Sequence, residues 1–273
     1  MFGKIINLLE KNPQIQKEMA DYESFKIACL TPPVSFQSRT GIPVFVLAAC
    51  YPVTNEVFTD RLLDVQKEVK AILGENEYYP DKSELHMSCM SFVDQPDELS
   101  DTEKNRYREN AKHLFAETKN MFPNPDMYFR GGFAGKDAVA VLGYNFAELN
   151  TARVEVAREG FRSYEMKKGQ RMPIGFDKIT ALRQAMSILE RGVIVQSIAH
   201  ISLARFYQQP TIKQREAINE LLSVQDFGRP EFSKIGLYEY TRCAIFSREN
   251  ELAFRRLPAI ENSIWEAENP HEE

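Results

Sequence analysis

A chain of 273 residues with 43% hydrophobic and 11% aromatic side chains can bury a substantial core, which excludes a disordered or fibrous protein. Its net charge of -5 and pI near 5.6 argue against broad attraction to duplex nucleic acid, so no duplex DNA partner is expected, although a local basic site can still hold one phosphate. Cys29, Cys50, Cys89 and Cys243 are scattered with no CxxC and no dense framework, and a reducing compartment is the simpler assumption.

The opening MFGKIINLLEKN is apolar for too few residues to be a secretory segment. No stretch approaches the about 20 apolar residues of a membrane span, so a soluble, cytoplasmic protein with no membrane partner is expected. Residues 3–11 read as a short amphipathic helix, and the mixed charges up to Lys26 continue helically until TPPV breaks the pattern; residues 1–40 are therefore read as an N-terminal helical extension. IPVFVLAAC, residues 42–50, is a continuous apolar run between Gly41 and Pro52 and predicts a buried strand. Asn55 then caps a helix in which Phe58, Leu62, Val65, Val69 and Leu73 recur at helical spacing, and Gly74 stops it.

Residues 84–93 read as a strand with His86, Ser88 and Met90 on one face and Leu85, Met87 and Cys89 on the other. A charged helix over 101–122 follows, then a hairpin of 127–133 and 138–144 turning at Gly135 and Lys136, then a helix over 147–161. MKKGQRMPIGF, residues 166–176, reads as a basic surface loop before a helix over 177–190. Residues 193–207 form a second strand of the same kind, followed by a helix over 211–224 and a final strand pair, 235–248 and 251–260, turning at Glu249 and Asn250. Residues 41–260 thus form one α+β domain with an internal pseudo-repeat and no nucleotide-binding glycine fingerprint; residues 261–273 are an acidic tail.

Two of the four histidines share one seven-residue frame, His-x-Ser-x-x-x-Phe, in ELHMSCMSF and IAHISLARF, ending at Phe92 and Phe206. Residues two apart on a strand share a face, roughly 6.6 Å apart, so each frame presents an imidazole and a hydroxyl to one side. Brought together, His86, Ser88, His200 and Ser202 suit a phosphodiester. One imidazole takes a proton from the attacking oxygen, the other protonates the leaving oxygen, and the hydroxyls hold the nonbridging oxygens. An imidazole's ordinary pKa of about 6.5 lets the neutral and protonated forms coexist near neutrality. The scheme calls for no metal and no cofactor.

The paired frames resemble the two His-x-[Ser/Thr]-x signatures of the two-histidine phosphoesterase superfamily, which includes 2′,5′ RNA ligase-like proteins and RNA cyclic phosphodiesterases. VFVLAACYP, FRGGFAGKDAVAVLGY and IGLYEYTRCAIFSRENELAFRRL resemble that family's other strands, so the similarity covers about residues 42–257. The resemblance implies two pseudo-symmetric lobes, each an antiparallel sheet backed by helices, around a central cleft carrying both motifs. It implies metal-independent cleavage or ligation of 2′-linked or 2′,3′-cyclic phosphodiesters, with His86 and His200 as the acid–base pair and Ser88 and Ser202 as phosphate-oxygen donors.

Rival readings attach to the same residues. A zinc site would need further ligands at a familiar spacing, which the sequence does not offer. Cys89 is a weak nucleophile candidate beside its plainer role as a packed thiol, and His113 and His271 read as solvated. Lys167, Lys168 and Arg171 are candidates to grip further phosphates, and Tyr51 to stack on a base, against the plainer roles of surface loop and strand terminus. Arg205 alternates to the face away from His200 and Ser202 and reads as structural or surface. The expected activity is a phosphodiesterase acting on a nucleotide or a short single-stranded or cyclic oligonucleotide. The alternatives are a hydrolase of cyclic or 2′,5′-linked oligonucleotide signals and a non-catalytic nucleotide-binding regulatory module.

Overall fold

The apolar run expected at the start of the domain is a strand whose two sides are both covered. β1 (Val44–Pro52) turns Phe45, Leu47, Ala49 and Tyr51 into the main core, and Val46, Ala48 and Cys50 into a second cluster with Tyr238 and Tyr240. A strand buried on both faces reads as unbroken hydrophobicity rather than alternation, as this one does. The computed structural model describes residues 44–96, 99–135, 138–153, 155–156, 194–195, 199–242 and 255–257, together with Pro13, Gln16, Lys17 and Ala20. Those four isolated residues are helical and exposed. The rest of the 1–40 extension, the 166–176 loop with Lys168 and Arg171, the 177–190 helix and the 261–273 tail lie outside the described residues.

α1 (Glu56–Leu73) starts where Asn55 accepts the Phe58 amide at 2.9 Å and ends at Gly74, whose φ of 96° suits glycine. Its Phe58, Leu62, Val65 and Val69 face the sheet. β2 (His86–Pro96) carries the first motif; α2 (Asp101–Thr118) opens with a capping box between Ser100 and Glu103. β3 (Tyr128–Ala134) and β4 (Ala138–Tyr144) form the expected hairpin, and residues 147–153 are helical. β5 (Ile194–Val195) and β6 (Ala199–Arg205) lie within the second predicted strand; α3 (Ile212–Ser223) follows, capped by Thr211. β7 (Asp226–Gly228) is a three-residue edge strand too short for its pattern to announce itself. β8 (Gly236–Arg242) and β9 (Arg255–Arg256) pair as the expected final strands.

The architecture is α+β. One sheet runs β7-β3-β4-β6-β2-β1-β8-β9, with β5 paired to β2, and every ladder among the described residues is antiparallel. β2 and β6, the two motif strands, are hydrogen-bonded neighbours in this sheet, paired at Met87 and Ile201. Both residues are fully buried in the main core, with Leu62 of α1 and Leu222 of α3.

Each motif strand carries a bulge one residue beyond its serine. Against β1, Ser88 pairs with Cys50 and Met90 with Ala49, so Cys89 is the extra residue. Against β4, Ser202 pairs with Ala140 and Ala204 with Val139, so Leu203 is the extra residue. A bulge shifts the side-chain alternation by one position. Met90 therefore joins Cys89 in the core instead of sharing a face with His86 and Ser88, correcting the uniform alternation expected for this strand. The frame is now intelligible: positions 1 and 3 face one side, positions 2, 4, 5 and 7 the core, with Phe92 and Phe206 as the seventh.

The bulged carbonyls are each met by a helix side chain. The fully buried Arg153 donates Nε–H to the Cys89 carbonyl at 2.6 Å and Nη2–H to that of Ser88 at 3.3 Å. Gln66 of α1 donates Nε2–H to the Leu203 carbonyl at 2.9 Å and to that of Pro80 at 3.0 Å. Two further pairings correspond between the motif strands: Ser91 with Ile194 of β5, and Arg205 with Tyr78, each five residues beyond its histidine.

Leaving a buried carbonyl without its donor costs about 1–3 kcal/mol. Arg153→Met is expected to lower unfolding free energy by about 2–5 kcal/mol, since two carbonyls lose their donor, and Gln66→Met by about 1–3 kcal/mol. Urea denaturation checks both; a loss below about 0.5 kcal/mol, the size of an ordinary surface change, would show that the bulges hold themselves.

Candidate active site

Because β2 and β6 run antiparallel through the Met87–Ile201 pair, residue 86 lies across from 202 and residue 88 from 200. Met87 and Ile201 point into the core, so the residues on either side of them point to the other face. The register thereby brings His86, Ser88, His200 and Ser202 onto one face of the sheet, opposite α1 and α3. His86 and Ser202 line a common small pocket of about 30 Å³ with Tyr78, Glu84, Arg205 and Tyr240. A space of that size takes one small group such as a water or a phosphoryl oxygen.

The surroundings of His86 settle its tautomer. Its Nδ1 lies 2.6 Å from the Glu84 carbonyl, which can only accept, so Nδ1 carries the proton and Nε2 presents a lone pair. Burial lowers its pKa to about 4, against an opposing contribution from the Glu84 carbonyl and with a further push down from the Arg205 charge. His86 is therefore a neutral imidazole near neutrality. Glu84 also accepts the Tyr78 hydroxyl at 2.6 Å and the Asp81 amide at 3.0 Å, which closes the short 3₁₀ turn Lys82–Glu84 directly before the motif. The Tyr240 ring lies tilted against the imidazole, with ring centroids 5.8 Å apart.

His200 and Ser202 are half-buried, and Ser88 is buried beside the Cys50 thiol, 3.8 Å from it. Cys50 and Cys89 are free, buried thiols; burial pushes Cys89 up to about 12, which suits a packed side chain and not a nucleophile. His113 lies half-buried on α2, away from this face.

Two expectations are corrected. Tyr51 pairs with Met87 on the helix side of the sheet, its hydroxyl bonded to the Pro123 carbonyl and its ring against Phe232. It is 2% exposed and cannot stack on a base held by the histidines. Arg205 lines the His86 pocket, although strict alternation places it on the opposite face. The bulge at Leu203 is the reason: burial along β6 alternates through Ser202, repeats at Leu203 and Ala204, and so returns Arg205 to the side of the serine. No spacing rule in the sequence marks Tyr78, Glu84 or Tyr240, since they reach the pocket from a loop and from a strand two places away in the sheet.

Among the described residues no helix is long and apolar enough to cross a membrane. No protein-family model matches the chain, and no curated protein matches it. Among solved structures the chain is similar to the crystal structure of a conserved protein of unknown function, ATU0111, from Agrobacterium tumefaciens str. C58. The identity is 14%, the match covers 85% of this chain and 94% of that one, and the TM-score is 0.42.

Proposed function

We propose that this protein is a metal-independent phosphodiesterase of the two-histidine type, acting on a 2′,3′-cyclic or 2′-linked nucleotide phosphodiester. The observation that carries this reading is the Met87–Ile201 register, which sets both His-x-Ser pairs on one face with a bulge after each serine. The matched bulges, their matched carbonyl donors and the matched pairings of Ser91 and Arg205 support two pseudo-symmetric halves meeting at β2 and β6. The resemblance of the two motifs to the two-histidine phosphoesterases points the same way.

In this reading His86 is the base. With Nδ1 protonated, Nε2 is the ring nitrogen that accepts the proton of an attacking water, and the neutral state of the imidazole suits that role. His200 is left the acid's part, protonating the departing oxygen. Ser88 and Ser202 hold the nonbridging oxygens, and the Arg205 guanidinium, brought to the pocket by the bulge, offsets the negative charge on those oxygens in the transition state.

The test is hydrolysis, with EDTA present, of 2′,3′-cyclic mononucleotides, 2′,5′-linked oligoadenylate and cyclic oligonucleotides. His86→Ala and His200→Ala are each expected to lower kcat/KM by about 10²–10⁴-fold with the fold intact. No turnover by the unmutated protein on any of these substrates, with nucleotide binding retained, would replace the enzyme reading by a binding module. The acid limb of kcat/KM is expected near the His86 value of about 4; a midpoint above about 6, where ordinary imidazoles titrate, would remove His86 as the base. Arg205→Gln is expected to cost about 10²-fold in kcat/KM and to move that limb upward, because a positive charge that disfavours protonation of His86 is gone.

The same lowering acts on stability. Between pH 6.5, the ordinary value, and about 4, the unfolded chain binds a proton at His86 that the folded chain does not. Stability is expected to fall as pH drops through that window, and His86→Gln to flatten the fall. Melting temperatures from pH 7 to 4 check this, and equal slopes for both proteins would contradict it.

A further inference from the structure

A second cavity, of about 700 Å³, lies on the helix side of the sheet, where the end of α2 and the turn Lys119–Met121 meet the segment leading into β8. That volume falls in the range of roughly 300–1,000 Å³ usual for small-molecule sites. Phe115, Phe122, Phe232 and Leu237 supply apolar walls, and Lys112, Lys119 and Lys234 stand around them. The aromatic wall is fixed by the core behind it: Phe232 packs at 5.9 Å on Tyr51 and at 6.2 Å on Phe129, which keeps the space from collapsing.

The charges are one-sided. Lys112 is tied to Glu109 at 2.8 Å, whereas Lys119 and Lys234 make no ion pair among the described residues. No carboxylate is among the described lining residues, whose other polar side chains include the amides of Asn120 and Asn124. Two uncommitted ammonium groups at an aromatic-walled recess, in a chain of net charge -5, form a local positive potential against the trend of the whole molecule.

We propose that this cavity binds an amphipathic organic anion, its apolar body against the phenylalanine wall and its anionic head held by Lys119 and Lys234. An inorganic anion would gain the charge but bury nothing, and a neutral apolar molecule would leave both ammonium groups unused. Carboxylate and phosphate heads share the required chemistry. β1 separates this cavity from the histidine face, so the inference stands apart from the phosphodiesterase reading.

The test uses the full chain and the aromatic sulfonate 1-anilinonaphthalene-8-sulfonate, followed by its fluorescence. Saturable one-to-one binding is expected, displaced by dodecanoate or phenyl phosphate but not by dodecanol or inorganic phosphate. The better competitor tells an acyl carboxylate from an aromatic phosphate. Lys119→Gln with Lys234→Gln is expected to weaken binding by about tenfold or more with an unchanged circular dichroism spectrum. Ala116→Trp, which fills the recess and keeps both lysines, is expected to abolish it. Undiminished binding by either variant, or displacement by dodecanol as readily as by dodecanoate, would overturn the proposal.

Discussion

The candidate site depends on a single strand pairing, that of β2 with β6 at Met87 and Ile201. These strands are far apart in the chain, and the two middle residues of the His-x-Ser frames hold them in register by being buried together in the main core. A one-residue slip would turn both frames over, sending imidazoles and hydroxyls into an apolar interior where they would lack partners. The register that buries the core is thus the register that sets both His-x-Ser pairs on one face, with His86 and Ser202 at the same pocket.

The bulges add the second constraint. Each strand must leave regular pleating just after its serine, and a bulge frees a carbonyl that an apolar interior cannot leave unmet. Arg153 meets it after the first motif and Gln66 after the second, both from helices on the far side of the sheet. The helical layer therefore does more than cover the core: it holds the backbone geometry on which the opposite face depends. The difference between the donors is informative, since a charged guanidinium reaches two successive carbonyls at Ser88 and Cys89, while the shorter amide ties Leu203 to the Pro80 loop that borders the His86 pocket.

The sheet also keeps two chemistries apart. On one face a neutral His86, oriented by Glu84, sits beside the Arg205 guanidinium. On the other, an aromatic recess is bordered by lysines. Tyr51 belongs to this second face even though it ends the strand beside the first motif. Neighbours across a ladder share a face only when their parity matches, and Tyr51 matches Met87, not His86.

The sequence by itself determined the elements and the residues of the two frames. Asn55 and Gly74 mark the ends of α1 through backbone preferences that operate locally, and the continuous apolar run of β1 follows from burial on both faces. The seven-residue spacing from histidine to phenylalanine already encoded the bulge, because an unbroken strand would put residues 1 and 7 on the same side. Reading it required knowing where the extra residue lay, and that is set by the partner strand. Only the tertiary structure decided that β2 and β6 are neighbours, that Met90 is in the core, and that Arg205, Tyr78, Glu84 and Tyr240 converge on His86. The physical reason is that local propensity acts over a few residues along the chain, whereas register and bulge position are fixed by hydrogen bonds and packing between segments that meet only in the folded protein.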